Sequence, residues 1–158
     1  MLVEIARKLD RWIVDQNVLL VEEGLLRHAA CSIRLLGQSA LIEANLGLRL
    51  LATRDVDVRA DYDDAVRLEF ARLLALAGRE LDPLGHEVWM PRETRYAELF
   101  RGKFVHLLLA EPEAVLLSKA LKAPVKNKQL ITQYLSTIAN ERFFELARKY
   151  RVDLEPFT

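Results

Sequence analysis

Cysteine is nearly absent. The 158 residues contain one, Cys31, so no internal disulfide can form and Cys-rich zinc frameworks are excluded. An excess of either charge is missing as well. The 23 Lys and Arg balance the 23 Asp and Glu, so no global field would hold the chain on nucleic acid or on an anionic membrane, and any such contact falls to a local patch. No apolar run approaches the roughly 18 residues of a membrane span. Residues 1–12 set charges where a signal peptide needs an apolar core. The chain also lacks a P-loop, a G-x-G-x-x-G turn and a G-x-S-x-G elbow, which argues against a Walker ATPase, a dinucleotide enzyme and a Ser hydrolase of that type. Repeats, low-complexity tracts and linkers are missing too. These absences predict a soluble, cytoplasmic protein with no membrane partner.

What remains is a chain that is 51% hydrophobic and long enough for one domain that buries roughly 70% of its unfolded-chain surface. Leu2, Ile5, Leu9 and Trp12–Ile13 recur at helical spacing, and a second helical stretch is expected from about Val18 to Ala30. Cys31–Leu36 reads as a strand ended by Gly37. Ser39 is placed to cap a short helix, Ala40–Leu46, which Gly47 would stop. Asp55–Val58 alternates acidic and β-branched residues, the period of a half-buried strand. Asp61, Asp63 and Asp64 suit the start of a helix whose buried stripe is Val66, Phe70, Leu73, Leu74 and Ala77. Asp82-Pro-Leu-Gly85 reads as a turn and His86–Met90 as a strand. A loop or short helix then leads through Arg101-Gly102 into a strand at Phe104–Leu109. From Pro112 to about Tyr150 the chain reads as helical, with a break at Pro124 and a cap at Asn140. The predicted fold class is α/β or α+β: a small mixed sheet covered by helices, with a core at about 31–110 and a helical C-terminal part at about 111–158.

Chemistry concentrates between Leu36 and Val58. Asp55 and Asp57 lie two apart on a strand and share a face, and two adjacent carboxylates repel unless something positive lies between them. A hard cation such as Mg²⁺ meets that need, and Mg²⁺ commonly binds substrate phosphates at the same time. Gly37 lets the backbone approach a ligand, and the amides near Ser39 form a phosphate cradle at a helix N-terminus. Each piece alone has a structural explanation, an acidic strand face or an ordinary helix cap. Their order along the chain carries the inference.

Gly37-Gln38-Ser39, a helix, and Arg54-Asp55-Val56-Asp57-Val58 together resemble the nucleotidyltransferase superfamily, the fold of DNA polymerase β. The lead-in Thr53-Arg54 looks like that of small bacterial and archaeal members, including those of toxin–antitoxin systems. Glu111–Lys119 is similar to the helix that carries a Ser-Lys pair in those proteins. The resemblance spans roughly Leu35 to Tyr134. The chain departs from it at Gln38, which separates Gly37 from Ser39, at Asn127, which stands where an acid is expected, and at Leu130, which replaces a later one.

The resemblance implies transfer of a nucleotidyl group from a nucleoside triphosphate to a hydroxyl acceptor on RNA or protein. It implies Mg²⁺ on Asp55 and Asp57, triphosphate against Gly37, Gln38 and Ser39, and charge compensation by Arg54 and Lys119. A cognate antitoxin would be the protein partner. The competing expectation is a binding or interaction module that keeps the fold without turnover. Active members usually place a third carboxylate on a neighbouring strand. Glu87 is the candidate, as the only acid inside a predicted strand after Asp57.

Other groups carry weaker signals. His28, His86 and His106 share no metal-ligand spacing. Lys119, Lys122, Lys126 and Lys128 form a basic run that serves either phosphate contact or a solvated helix face. Trp89 reads as core, with base stacking as the alternative.

Overall fold

A computed structural model describes all 158 residues. Helix α1 (Leu2–Glu22) is followed by β1 (Cys31–Leu36), α2 (Gly37–Ala44), β2 (Asp55–Ala60), α3 (Asp64–Leu76) and β3 (Glu80–Leu81). A 3₁₀ turn at Gly85–Glu87 then precedes β4 (Tyr96–Arg101), β5 (Val105–Ala110), α4 (Pro112–Lys122), α5 (Lys128–Thr137) and α6 (Glu141–Lys149). The five strands form one sheet in the order β3-β2-β1-β5-β4. β1 runs antiparallel to β2 and parallel to β5, β3 is parallel to β2, and β4 is antiparallel to β5. The result is an α+β fold on a mixed sheet. No helix is long and apolar enough to cross a membrane.

Register decides which side chains share a face. Leu35 pairs with Val58 and Leu109, and Ile33 with Ala60 and Leu107, so these apolar residues line one side together with Val56. There the buried stripes of α1 (Leu2, Ile5, Ala6, Leu9, Ile13) and α3 (Val66, Phe70, Leu73, Leu74) pack together. On the other side α2 packs on β2 and α4. Leu36 pairs with Asp57, so the Asp55–Asp57 face looks toward this second layer. A cluster of 33 buried hydrophobic residues runs from Leu2 to Phe157.

Three differences from the sequence reading have local causes. The first two expected helices are one 21-residue helix that ends in a Schellman motif. Leu25 N–H donates to Leu20 O, Gly24 N–H donates to Val21 O, and Gly24 takes φ +69°. Residues 25–30 then run extended, held by buried Asn17, whose amide donates to His28 O at 3.1 Å and whose Oδ1 accepts His28 N–H at 2.7 Å. The segment before Arg101 is β4, not a loop or short helix. The β4–β5 turn is clamped by Asp10 of α1, which accepts the N–H groups of Lys103, Phe104 and Val105. His86–Met90 is not a strand. It holds the end of a 3₁₀ turn and an irregular stretch, because Arg59 takes the carbonyls of His86 and Val88 out of any ladder, at 3.2 and 3.0 Å.

Asp63 caps α3 by accepting Val66 N–H, and Asn140 caps α6 by accepting Phe143 N–H. The cap at Asn140 was legible in the sequence, whereas Asp63 was read there only as one of three acids suited to the helix dipole.

Candidate functional site

The site begins where β1 turns into α2. Gly37 is the first residue of α2 and takes φ +60°, a conformation costly for any residue with a Cβ. A Cβ at position 37 would also collide with Asp57 Oδ2 and stand 3.3 Å from Asp57 Cγ. From the other side, a Cβ at Gly85 would come 2.9 Å from Asp57 Cα and 3.2 Å from its Oδ1. Two glycines from distant parts of the chain thus enclose one aspartate.

Ser39 does not cap α2. The helix starts two residues earlier, with Leu36 in the cap position and no side-chain cap, and it ends at Asn45 in the left-handed region, before Gly47 is reached. Ser39 is buried. Its hydroxyl donates to Asp55 O at 3.1 Å and accepts from Arg79 Nη2 at 3.2 Å. The hydroxyl therefore binds the start of β2 to α2 and is committed inside the protein. The first-turn amides of Gly37, Gln38 and Ser39 have no intrahelical acceptor and supply the positive end of the helix. The Gln38 side chain donates to Leu51 O at 3.1 Å, tying down the loop that leads into β2.

Asp55 and Asp57 share a face, with Val56 and Val58 buried beneath. The third acid beside them is not Glu87. Because β3 runs parallel to β2 with Asp55 opposite Glu80 and Val56 opposite Leu81, the next residue of β3's run, Asp82, comes level with Asp57. Asp82 N–H donates to Val56 O at 3.0 Å, and its carboxyl lies close enough to that of Asp57 to disfavour ionisation there. Burial, the Asp82 carboxyl and the charge of Asp55 push the Asp57 pKa up to about 6, against the opposing pull of Lys119. Glu87 sits in the 3₁₀ turn with its side chain 65% exposed, 3.9 Å from His86. It is not among the groups that act on Asp57.

Lys119 comes from α4 and is half-buried. Burial, and then Lys126, depress its pKa while Asp57 raises it, so the ammonium and the carboxylate lie within each other's field. Ser118 donates to Trp89 O. Lys122 stands over the Trp89 ring at 5.4 Å, and Tyr150 meets that ring edge-on at 5.3 Å. Lys126 and Lys128 are exposed. Arg54 is exposed just before β2, where its carbonyl accepts Glu80 N–H.

The structure thus brings together Gly37, Ser39, Asp55, Asp57 and Lys119, leaves Glu87 outside, and adds Asp82, Arg79 and Gly85. No matches turned up. Searches against protein-family models, curated proteins and solved structures find nothing similar to this chain.

Asp82 was hidden because β3 has two residues, too few to show a period, and Arg79 because the helix stop at Gly78 places it. Asp82-Pro-Leu-Gly85 does make the expected turn, with Asp82 Oδ1 accepting Leu84 N–H at 2.9 Å. The available signal was the sequence Glu80-Leu81-Asp82, one residue beyond Gly78, a short acid-apolar-acid alternation behind a helix stop.

No three His, Cys, Asp or Glu side chains are arranged as a ready-made metal cage. Mg²⁺ does not require one, since it usually takes one or two carboxylates and fills the rest of its shell with water and phosphate oxygens. A carboxyl held protonated up to about pH 6 by burial and by its acidic neighbours is a place where a cation would replace a proton. The residues present fit such an ion.

Proposed function

We propose that the chain is a Mg²⁺-dependent nucleotidyltransferase that moves a nucleotidyl group from a nucleoside triphosphate to a hydroxyl on RNA or protein, with pyrophosphate as the leaving group. The supporting observation is Asp57 itself, enclosed by Gly37 and Gly85 and crowded by Asp55 and Asp82 at the N-terminus of α2. Carboxylates set this closely cost stability and are kept where a cation or a proton transfer uses them.

In this reading Asp55 and Asp57 would hold Mg²⁺, which would supply positive charge against the phosphates. The amides of Gly37, Gln38 and Ser39 cradle the phosphates, Lys119 offsets their charge from α4, and exposed Arg54 closes on them from the lead-in to β2. Asp82 takes the role that the sequence reading gave to Glu87. Its carboxylate accepts the proton of the attacking hydroxyl, because it already lies beside Asp57 and is half-exposed. Ser39 positions Asp55 through its carbonyl and has no free hydroxyl for substrate.

The deciding experiment supplies α-labelled triphosphates, Mg²⁺ and total RNA or a cell extract. Label should reach RNA or protein with the wild type and fail to do so with Asp57→Asn and Asp82→Asn. Triphosphate binding without label transfer would instead favour a binding module. A toxin-type role adds a cognate antitoxin and a cytoplasmic site of action. Growth arrest on expression that Asp57→Asn abolishes would support it.

A further inference from the structure

The loop between α2 and β2 borders an open cavity of about 400 Å³ whose lining includes Leu46, Leu48, Leu50, Ala52, Thr53 and Arg79. Two of these residues join it to the carboxylate site. Thr53 Oγ1 accepts Asp55 N–H at 3.2 Å, and Arg79 Nη2 donates to Ser39 Oγ at 3.2 Å. Arg79 is brought there by the Schellman motif that ends α3, in which Gly78 takes φ +74° and Arg79 N–H donates to Leu74 O.

The guanidinium is unusual in its surroundings. It is half-buried, its Nε is enclosed with no hydrogen-bond partner, and no acid lies within ion-pair distance. A buried donor without an acceptor costs free energy and calls for an explanation. Lys119 is in the field of Asp57, whereas the only side-chain partner of Arg79 is the Ser39 hydroxyl. A bare hydrated anion would not suit the cavity, because five of its nine lining residues are hydrophobic. An apolar floor with one unpaired planar cation suits a flat ring with acceptor atoms on its edge, which a guanidinium can stack on or hydrogen-bond to. The volume is within the range of small-ligand sites.

We propose that this cavity receives the nucleobase of the nucleoside triphosphate, with Arg79 as the donor to its acceptor edge. The inference rests on the nucleotidyl-transfer reading for its choice of ligand, and it assigns the α2–β2 loop and Arg79 as determinants of which base is used. The triphosphate would then extend from the cavity past Thr53 toward Asp55 and the N-terminus of α2. The base site and the phosphate site would be joined through Ser39 and Asp55, which are bonded to each other beneath them.

Phosphate-free ribonucleosides separate this site from the metal chemistry. Adenosine, guanosine, cytidine and uridine are titrated in EDTA, followed by amide NMR shifts or calorimetry, against the wild type, Asp57→Asn, Arg79→Lys and Ala52→Trp. At least one nucleoside should bind with a millimolar constant, shift amides in residues 45–53, and bind Asp57→Asn equally well. Ala52 is exposed at the cavity wall, so Trp there fills the cavity without entering the core and should weaken binding at least about tenfold. Arg79→Lys should weaken it similarly, since it removes a planar donor fork. Binding of no nucleoside, or binding that Ala52→Trp leaves unchanged, would overturn the proposal. Nucleotidyl transfer fails on a different readout, the absence of label transfer by the wild type, and that result can occur while nucleosides still bind.

Discussion

Asp57 sits between two backbones that leave it no room to move and two acids that resist its ionisation. Gly37 meets two demands at once, a positive φ and the contact with Asp57 Oδ2. Gly37→Ala should therefore lose about 1 kcal/mol to the left-handed conformation and about 1–3 kcal/mol to overpacking. The two costs separate in a double-mutant cycle with Asp57→Ala. The overpacking part should be recovered in the double variant and the backbone part should remain, as read by chemical denaturation. Purely additive losses would show that the contact carries no strain. The Asp57 pKa of about 6, raised from 3.8, sets a second expectation. The folded protein binds more protons than the unfolded chain between these values, so this group's contribution to stability falls as pH rises from about 4 to about 6 and is flat above. Asp57→Asn removes the ionisation and can hydrogen-bond to Asp82. Its melting temperature should exceed that of the wild type at pH 7.5, and the gain should vanish near pH 4. A gain that is independent of pH would mean that carboxylate crowding is not its source.

At the scale of elements, helix ends decide where functional residues land. α6 closes like α1 and α3, with Val152 N–H donating to Ala147 O and Arg151 N–H to Arg148 O. Its left-handed residue is Arg151, at φ +53°, not glycine. Arg151→Gly should raise stability by about 1 kcal/mol, measured as a higher denaturation midpoint with an unchanged slope. Legibility in the sequence follows the same physics. Strands β1, β2 and β5 could be read because six residues are enough to show alternation or a continuous apolar run. The cap at Asn140 and the acidic start of α3 at Asp61, Asp63 and Asp64 could be read because helix-end chemistry is local. α1 was divided in two because Val18, Leu19 and Val21 are apolar but exposed, which blurs its stripe. β3 and the His86–Met90 segment could not be read. Each depends on a partner far along the chain, Asp55 and Val56 for β3, and Arg59 for the carbonyls of His86 and Val88. The same limit hid Asp82, whose place beside Asp57 is a matter of parallel register and not of local pattern.

Across the whole molecule, the sheet divides the protein into a closed side and a chemical side. α1 and α3 pack together on one side, where Val56 and Val58 are buried, so β2 can carry Asp55 and Asp57 on its other face, with Asp82 beside them, without losing its own burial. The site is assembled from α2, β2, the end of β3 and α4, so an ion there would bind only the folded chain and couple to the global unfolding equilibrium. If Mg²⁺ binds Asp55 and Asp57 with a dissociation constant of about 1 mM, 10 mM Mg²⁺ adds roughly 1.4 kcal/mol. For a chain of this size that raises the melting temperature by about 3–6 °C. The effect must depend on pH, because the ion competes with the proton that Asp57 keeps up to about pH 6. The Mg²⁺-induced rise should be full at pH 7.5 and largely lost at pH 5, and Asp57→Asn should abolish it at both. Ionic strength is matched with NaCl, so that screening of the acidic cluster is not read as binding. A rise of equal size at both pH values, or one that survives in Asp57→Asn, would place the ion elsewhere and remove Mg²⁺ from this site.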